Sequence, residues 1–483
     1  MSKKSIKVNA ILNVIKSMLS VIFPLITYPY ATRVLGVENL GKVTFSSSFI
    51  TYFSLLATLG ITTYAIREGS KLREERVKFT QFANEIFSIN IVTTFVAYIL
   101  LVIILIFFYK IKQYRLLILI HSISIIFTTF GIDWINSIFE DYTYITMRSI
   151  IINIISMICL FTFVKKENDY YIYAALTVLS NGIVCLCNFF YCKRYVKLKF
   201  TLKNNFVSHI RCMLVFFANS VAVSIYVNAD TTMLGILVND YSLGLYSVSV
   251  KIYSILKNIF AAMYMVTIPK LTYMNASNQK FEYKKLLTKI SSIIILLLLP
   301  CSAGLIILSK DIVLILAGNS YIEASISLSI LGGAIIFALL GGILTQCVNI
   351  TLNREKITLK ATVWSSILNI ILNFYFINKF AEIGAAITTL FSELFVLIFC
   401  LVKFKDLTEY IDRDKIVKDL ITASIEMMLI IGIGIVVNRL VNYMILKIIL
   451  TVFMSIIAYL LILFITKNET FMEVLKKIAK ENE

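Results

Sequence analysis

Residues 226–257, YVNADTTMLGILVNDYSLGLYSVSVKIYSILK, decide how this chain is read. They give the end of one apolar helix, a tight turn near Asp240, and the start of the next helix. Asp230 and Lys251 stand about equally far from that turn, so an antiparallel hairpin places them at similar depth. An isolated charge at mid-bilayer costs roughly 2.5–3.5 kcal/mol on insertion scales, and such groups therefore pair or line a cavity. The same turn grammar occurs near the N-terminus. Leu35-Gly36, Leu40-Gly41 and Phe45-Ser46-Ser47-Ser48 correspond to Leu234-Gly235, Leu243-Gly244 and Tyr246-Ser247-Val248-Ser249. An offset of about 200 residues in a membrane protein points to two helical lobes of common origin.

Working outward, the composition agrees. Of 483 residues, 59% are hydrophobic and only 15% charged, with a mean hydropathy of +0.86. Apolar runs of roughly 20 residues recur, each long enough for a hydrocarbon core about 30 Å thick. They are continuous rather than alternating, which argues against barrel strands. Four prolines and 17 glycines leave little loop material and no room for a large domain outside the membrane. The expected class is an all-α polytopic membrane protein of about 14 transmembrane helices. Pro269 and Pro300 are expected to end one helix and interrupt another, and 115–139 to form one helix. Pro24 and Pro29 are expected to bend the first helix.

A net charge of +18 raises the question of nucleic acid. However, the basic residues cluster in short alternate connections, as the positive-inside rule expects of cytoplasmic loops. No nucleic acid partner is expected, and both termini are placed in the cytoplasm. MSKKSIK leads directly into the first helix with no small-residue cleavage site, so that helix is read as a retained anchor. All eight cysteines fall in or beside apolar runs and read as buried, inert thiols. The tail 469–483 sets Phe471, Met472, Leu475 and Ile478 on one face with lysines opposite, the pattern of a short interfacial helix.

Nothing in the chain has the pattern of an enzyme or of a cofactor site. The two histidines, His121 and His209, are far apart in sequence, and there is no P-loop. What remains is a set of polar groups inside apolar helices. Lys16 lies near mid-depth of the first helix, and Lys257 two turns inward of Lys251. Glu393 is central in its helix, and Glu426 lies in the helix before the last. For Asp230 and Lys251 a structural ion pair and a functional pair are both open. Lys16 suits a hydrated cavity facing an anion, or a packing role. Glu393 is either a hydrogen-bonded structural acid or a proton or Na⁺ site. Asn369 and Asn373, four apart on one face, read as glue between helices.

These stretches taken together resemble a known family. They are FPLITYPYATRVLGVENLGKVTFSSSF, LGITTYAIREGSK, GIDWINSIFEDYTYITMRSII, IYVNADTTMLGILVNDYSLGLYSVSVKI, IPKL, LAGNSY and NREKITLKATVWSSILNIILNFYFINKFAEIGAAITTLFSEL. In order and spacing the chain is similar to the Wzx-type oligosaccharide flippases of the polysaccharide-transporter family. Their superfamily also holds drug/cation antiporters and lipid II flippases. The resemblance implies two six-helix lobes, 1–205 and 206–405, and a segment 406–483 with two further helices and the tail. It implies alternating access in a bacterial cytoplasmic membrane, with an undecaprenyl-pyrophosphate-linked oligosaccharide as cargo. Under that reading Lys16, Lys251 and Lys257 meet the pyrophosphate inside the cavity. Arg33, Arg67 and Arg148 meet it at the mouths, where each also fits plain interfacial anchoring. Asp230 and Glu393 become the candidates for coupling to H⁺ or Na⁺. A monomer is expected, with a polysaccharide polymerase as a candidate partner. The rivals are a drug/cation antiporter, a lipid II flippase and, further off, a membrane polymerase. An antiporter for cations favours acids in the first lobe, whereas this one carries a mid-membrane lysine.

Overall fold

The structure, a computed structural model, describes residues 6–473 except 140, 202–205 and 405; side chains are described for the same residues except 6–21, 142 and 143. The described residues are helical almost throughout. In order they form α1 (Ile6–Thr58), α2 (Ile61–Lys71), α3 (Arg76–Phe107), α4 (Arg115–Phe130), α5 (Asp133–Ile138) and α6 (Tyr142–Phe163). There follow α7 (Tyr170–Cys192), α8 (Phe206–Leu237), α9 (Asp240–Ala276), α10 (Lys280–Ile307) and the short α11 (Ser309–Leu316). The chain ends with α12 (Ala324–Gly342), α13 (Glu355–Lys403), α14 (Leu407–Tyr410), α15 (Arg413–Leu440) and α16 (Met444–Ile465).

Among the described residues, twelve segments are long and apolar enough to cross a membrane. Two of the twelve contain a helix broken at one non-helical residue, so the twelve supply fourteen apolar arms among the described residues. The first joint is Gly36, with φ 74° and ψ 170°. Tyr170 and Tyr173 pack both against the Ala31–Leu35 side of this joint and against Val43 beyond it. The chain therefore folds back at Gly36, a conformation that glycine adopts without the penalty of a Cβ. The second joint is Ala381, at φ 48°. Across it Thr388 Oγ1 donates to Asn373 Oδ1 at 2.5 Å and Ser365 Oγ to the Ser392 carbonyl at 2.9 Å. Those pairs centre near residue 380 and define an antiparallel hairpin. Asn373 Nδ2 also donates to Asn369 Oδ1 at 3.0 Å, so both asparagines hold helices together, as expected.

Three boundaries differ from expectation. The α9 helix runs through Pro269 and α10 through Pro300. In a membrane helix the carbonyl freed by proline is satisfied by local adjustment and neighbours, so the helix survives. Residues 115–139 are not one helix but two, because the chain leaves helical geometry at Gly131 and Ile132. Pro24 and Pro29 lie within helical backbone, with Thr32 Oγ1 donating to the Pro29 carbonyl at 3.0 Å.

Packing divides the chain into two compact units, Met1–Ser247 and Val248–Glu483, with the boundary inside α9. In the first, α1 packs against α3, α4, α6 and α8, and α4 against α7. An aromatic-rich core of Phe79, Phe82, Trp134, Ile135 and Tyr64 ties α2, α3 and α5 together. In the second, α12 packs on the α13 hairpin, and α10 lies against both α12 and α15. The last helix, α16, packs on α15 and exposes Ile445, Ile449, Phe453, Leu460 and Phe464, a surface suited to lipid. Of the cysteines, Cys192, Cys347 and Cys400 are buried, but Cys187, Cys212 and Cys301 are exposed, since an apolar run presents one face outward.

Candidate functional site

The two copies of the Leu-Gly turn motif meet. A Cβ on Gly41 would lie 1.9 Å from the Asp240 carbonyl oxygen, and one on Gly244 would lie 2.0 Å from that of Val37. The backbones thus touch, and no side chain fits at either position. Around this contact Tyr114 Oη donates to Asp240 Oδ1 at 2.5 Å, and Phe45 packs on Tyr114 with ring centroids 4.5 Å apart. Asp230, 6% exposed, accepts from Tyr246 Oη at 2.8 Å. A phenol two residues past Gly244 thus solvates a carboxylate inside an apolar helix. Two residues further along α8, the Thr232 hydroxyl is hydrogen-bonded to that of Ser48 at 2.8 Å.

In the second unit, α9 and the outgoing arm of α13 build an ion pair. Lys257 Nζ lies 2.6 Å from Glu393 Oε1, and Tyr253 Oη donates to the same oxygen at 2.8 Å. Tyr253 and Lys257 are four apart, hence on one face of α9, and both reach across to α13. Glu393 is buried, while the Lys257 side chain keeps 36% of its surface. Two residues read separately from the sequence, one as a cargo contact and one as a coupling acid, thus form one group. Lys251 lies on the same helix six residues earlier.

The arginines differ from one another. Arg148 is buried; its Nη2 lies 3.2 Å from Asp133 Oδ1 and its guanidinium stacks over Tyr144. Its Nε and Nη1 have no hydrogen-bond partner among the described residues, so the cation is only half used. Arg67 is exposed, paired with Glu68 at 2.8 Å and set over the Phe216 ring. Arg33 is exposed on α1. The side chain of Lys16 lies outside the described residues.

One cluster has no signal in the sequence. His209 of α8 has Nδ1 2.7 Å from Tyr64 Oη and Nε2 2.9 Å from Glu85 Oε2. Gln81 donates to the other Glu85 oxygen at 3.1 Å. A neutral ring with its proton on Nε2 donates to the carboxylate and accepts from the phenol, so every partner is satisfied. The three residues are separated by as much as 145 positions, and only folding unites them. The carboxylates Asp133 and Glu85 of this unit are therefore both engaged with basic side chains. Asp141 likewise accepts from Tyr191 at 2.5 Å and Tyr195 at 2.9 Å, with Arg194 at 3.4 Å.

Residues 6–275 match the family described as polysaccharide biosynthesis protein, more than half of the chain. The chain belongs to this family. A Shigella dysenteriae relative named as an O-antigen transporter is 24% identical over 392 residues, covering 79% of this chain and 95% of that protein. A Haloferax volcanii relative named as a low-salt glycan biosynthesis flippase is 26% identical over 200 residues, covering 41% of this chain and 42% of its own. Among solved structures, the inward closed conformation of the lipid II flippase MurJ superposes with a TM-score of 0.76. It shares 18% identity and covers 95% of this chain and all of that one. At that identity the likeness is one of fold: a polytopic all-α architecture.

Proposed function

We propose that this chain flips a lipid-linked oligosaccharide across a bacterial cytoplasmic membrane for surface polysaccharide synthesis. The observation that carries this reading is the similarity sustained over 95% of a relative named as an O-antigen transporter. The cargo is an undecaprenyl-pyrophosphate-linked repeat unit, handed from the cytoplasmic to the outer leaflet by alternating access. The chain is a carrier, not a catalyst. Lobes 1–205 and 206–405 move about the cargo, and 406–483 is an addition to them. Both termini face the cytoplasm, as the basic loops favour.

In this reading the pyrophosphate meets cations in sequence. Lys16, Lys251 and Lys257 serve the interior, and Arg33, Arg67 and Arg148 serve the two mouths. Arg148 is the best suited of the three, because two of its donors are unfilled and a guanidinium fork matches phosphate oxygens. Lys257 is paired with Glu393, so the cargo phosphate and the Glu393 carboxylate compete for one lysine; protonation of Glu393 frees the lysine for phosphate. Asp230, held by Tyr246, is the second coupling candidate. A drug/cation antiporter fits less well, because the carboxylates Glu85, Asp133 and Asp141 are already engaged.

Deletion of the gene is the test. Surface glycan should be lost, with lipid-linked repeat units accumulating on the cytoplasmic leaflet and growth retained. Lethality with accumulation of cell-wall precursor would instead assign the lipid II reading, and unchanged surface glycan would remove both.

A further inference from the structure

The last two spanning helices carry a polar seam. Asn468 Nδ2 donates to Asp419 Oδ1 at 2.7 Å, and Lys447 Nζ to Asn438 Oδ1 at 2.9 Å. These two bonds set α15 and α16 antiparallel and bring Glu426 level with Tyr459. On the other flank the Asp412 backbone N–H donates to Thr288 Oγ1 at 3.0 Å, and a Cβ on Gly434 would lie 2.2 Å from Ile307. The α10 helix therefore runs parallel to α15.

Within this sandwich Glu426 is 1% exposed, and neither Oε1 nor Oε2 has a hydrogen-bond partner among the described residues. Asp419, two turns away on the same face, is 2% exposed and leaves Oδ2 unpartnered. Titratable groups reach Glu426 from two helices: Asp419 on its own, and Tyr459 from α16, with Cys301 of α10 beside Tyr459. None of the three is a cation. Lysines at both ends of the seam are spent on other acids, Lys415 on Glu469 at 3.2 Å and Lys289 on Glu473 at the Asn468 end, and Lys447 on Asp311 at 2.6 Å at the other.

A second feature is independent of the acids. Beyond Lys447, the face of α16 turned to α15 bears Thr451, Ser455 and Tyr459 at four-residue spacing among apolar residues. The Thr451 and Ser455 hydroxyls are buried without partners among the described residues, and so is Ser292 Oγ of α10. An ionised carboxylate in such a place, with neither cation nor donor, is far costlier than its neutral acid. A metal ion needs several oxygens gathered around it at once, whereas these are strung along the helix axis. A proton needs one oxygen, and a row of hydroxyls suits its delivery.

We propose that Glu426 is a proton-binding site, reached along the seam Thr451, Ser455, Tyr459, Glu426, Asp419 and Asn468. It lies outside the cationic residues assigned to cargo and stands whether or not the chain carries a glycan.

The test is infrared spectroscopy of the purified full-length protein in detergent. At neutral pH, wild type minus Glu426→Gln should show the C=O stretch of a protonated carboxylic acid. That band should persist when Na⁺ replaces choline and should be lost on alkalinisation. Glutamine copies the neutral acid in shape, so the variant should fold; if it does not, Glu426→Asp should move the band rather than remove it. Carboxylate stretches at neutral pH would overturn the proposal. So would an acid band untouched by either substitution, or one abolished by Na⁺, which would mark a metal-ion site.

Discussion

Glu393 and Glu426 are two glutamates inside apolar helices, 5% and 1% exposed, and the fold treats them in opposite ways. Glu393 receives Lys257 and Tyr253 from α9 at 2.6 and 2.8 Å. Glu426 receives no donor from any described residue. One acid keeps a charge by pairing it, and the other is accommodated by giving it up. A buried charge in lipid is therefore defined by the helix that faces it, not by its own helix. The first solution builds a site that can be opened by a competing anion. The second builds one that answers to protons alone.

The largest expected effect breaks the paired site. Lys257→Gln leaves Glu393 with a single donor and should cost up to about 3 kcal/mol, the low end for a broken buried pair because the lysine is partly exposed. Adding Glu393→Gln should restore most of the loss, as seen in folded yield and thermal unfolding in detergent. Additive losses would show that the pair is not coupled and would erase the contrast with Glu426. A far smaller effect is expected at the Lys289–Glu473 contact beside the polar seam. The hydrogen bond from Lys289 holds the Glu473 carboxyl below the usual carboxylate range. A depressed folded value means that the contribution is present above the usual range and is lost as pH falls through the lowered one. Both side chains are substantially exposed, so at most about 0.5 kcal/mol is involved. Glu473→Gln should lack the corresponding small drop in melting temperature on acidification; an identical drop in the variant would assign it to another group.

Much of this architecture is legible in the sequence. Apolar runs locate the long spanning helices, and the Leu-Gly repeats mark the segments that meet at Gly41 and Gly244. The charges inside the spans stand out against their surroundings. What the sequence withholds is the partner of each. Lys257 and Glu393 are 136 residues apart, and Tyr64, Glu85 and His209 lie on three helices. Periodicity assigns a face to a residue but not the helix that covers it. Proline was also a weaker signal than in water, since α9 and α10 continue through Pro269 and Pro300. The α4–α5 break at Gly131 is marked in the sequence only by one glycine and the nearby Asp133, which a spanning helix end also tolerates.

The central claim is that intramembrane cations carry a pyrophosphate-linked glycan, and reconstituted translocation tests it most directly. Purified protein in liposomes loaded with an undecaprenyl-pyrophosphate oligosaccharide is followed by the exposure of glycan to an externally added lectin. Wild type should speed exposure well above protein-free liposomes. Lys16→Ala should abolish the gain, Lys16→Arg should keep part of it, and Lys16→Glu should be no better than alanine. Exposure at the protein-free rate with wild type, or at the wild-type rate with Lys16→Glu, would contradict the account.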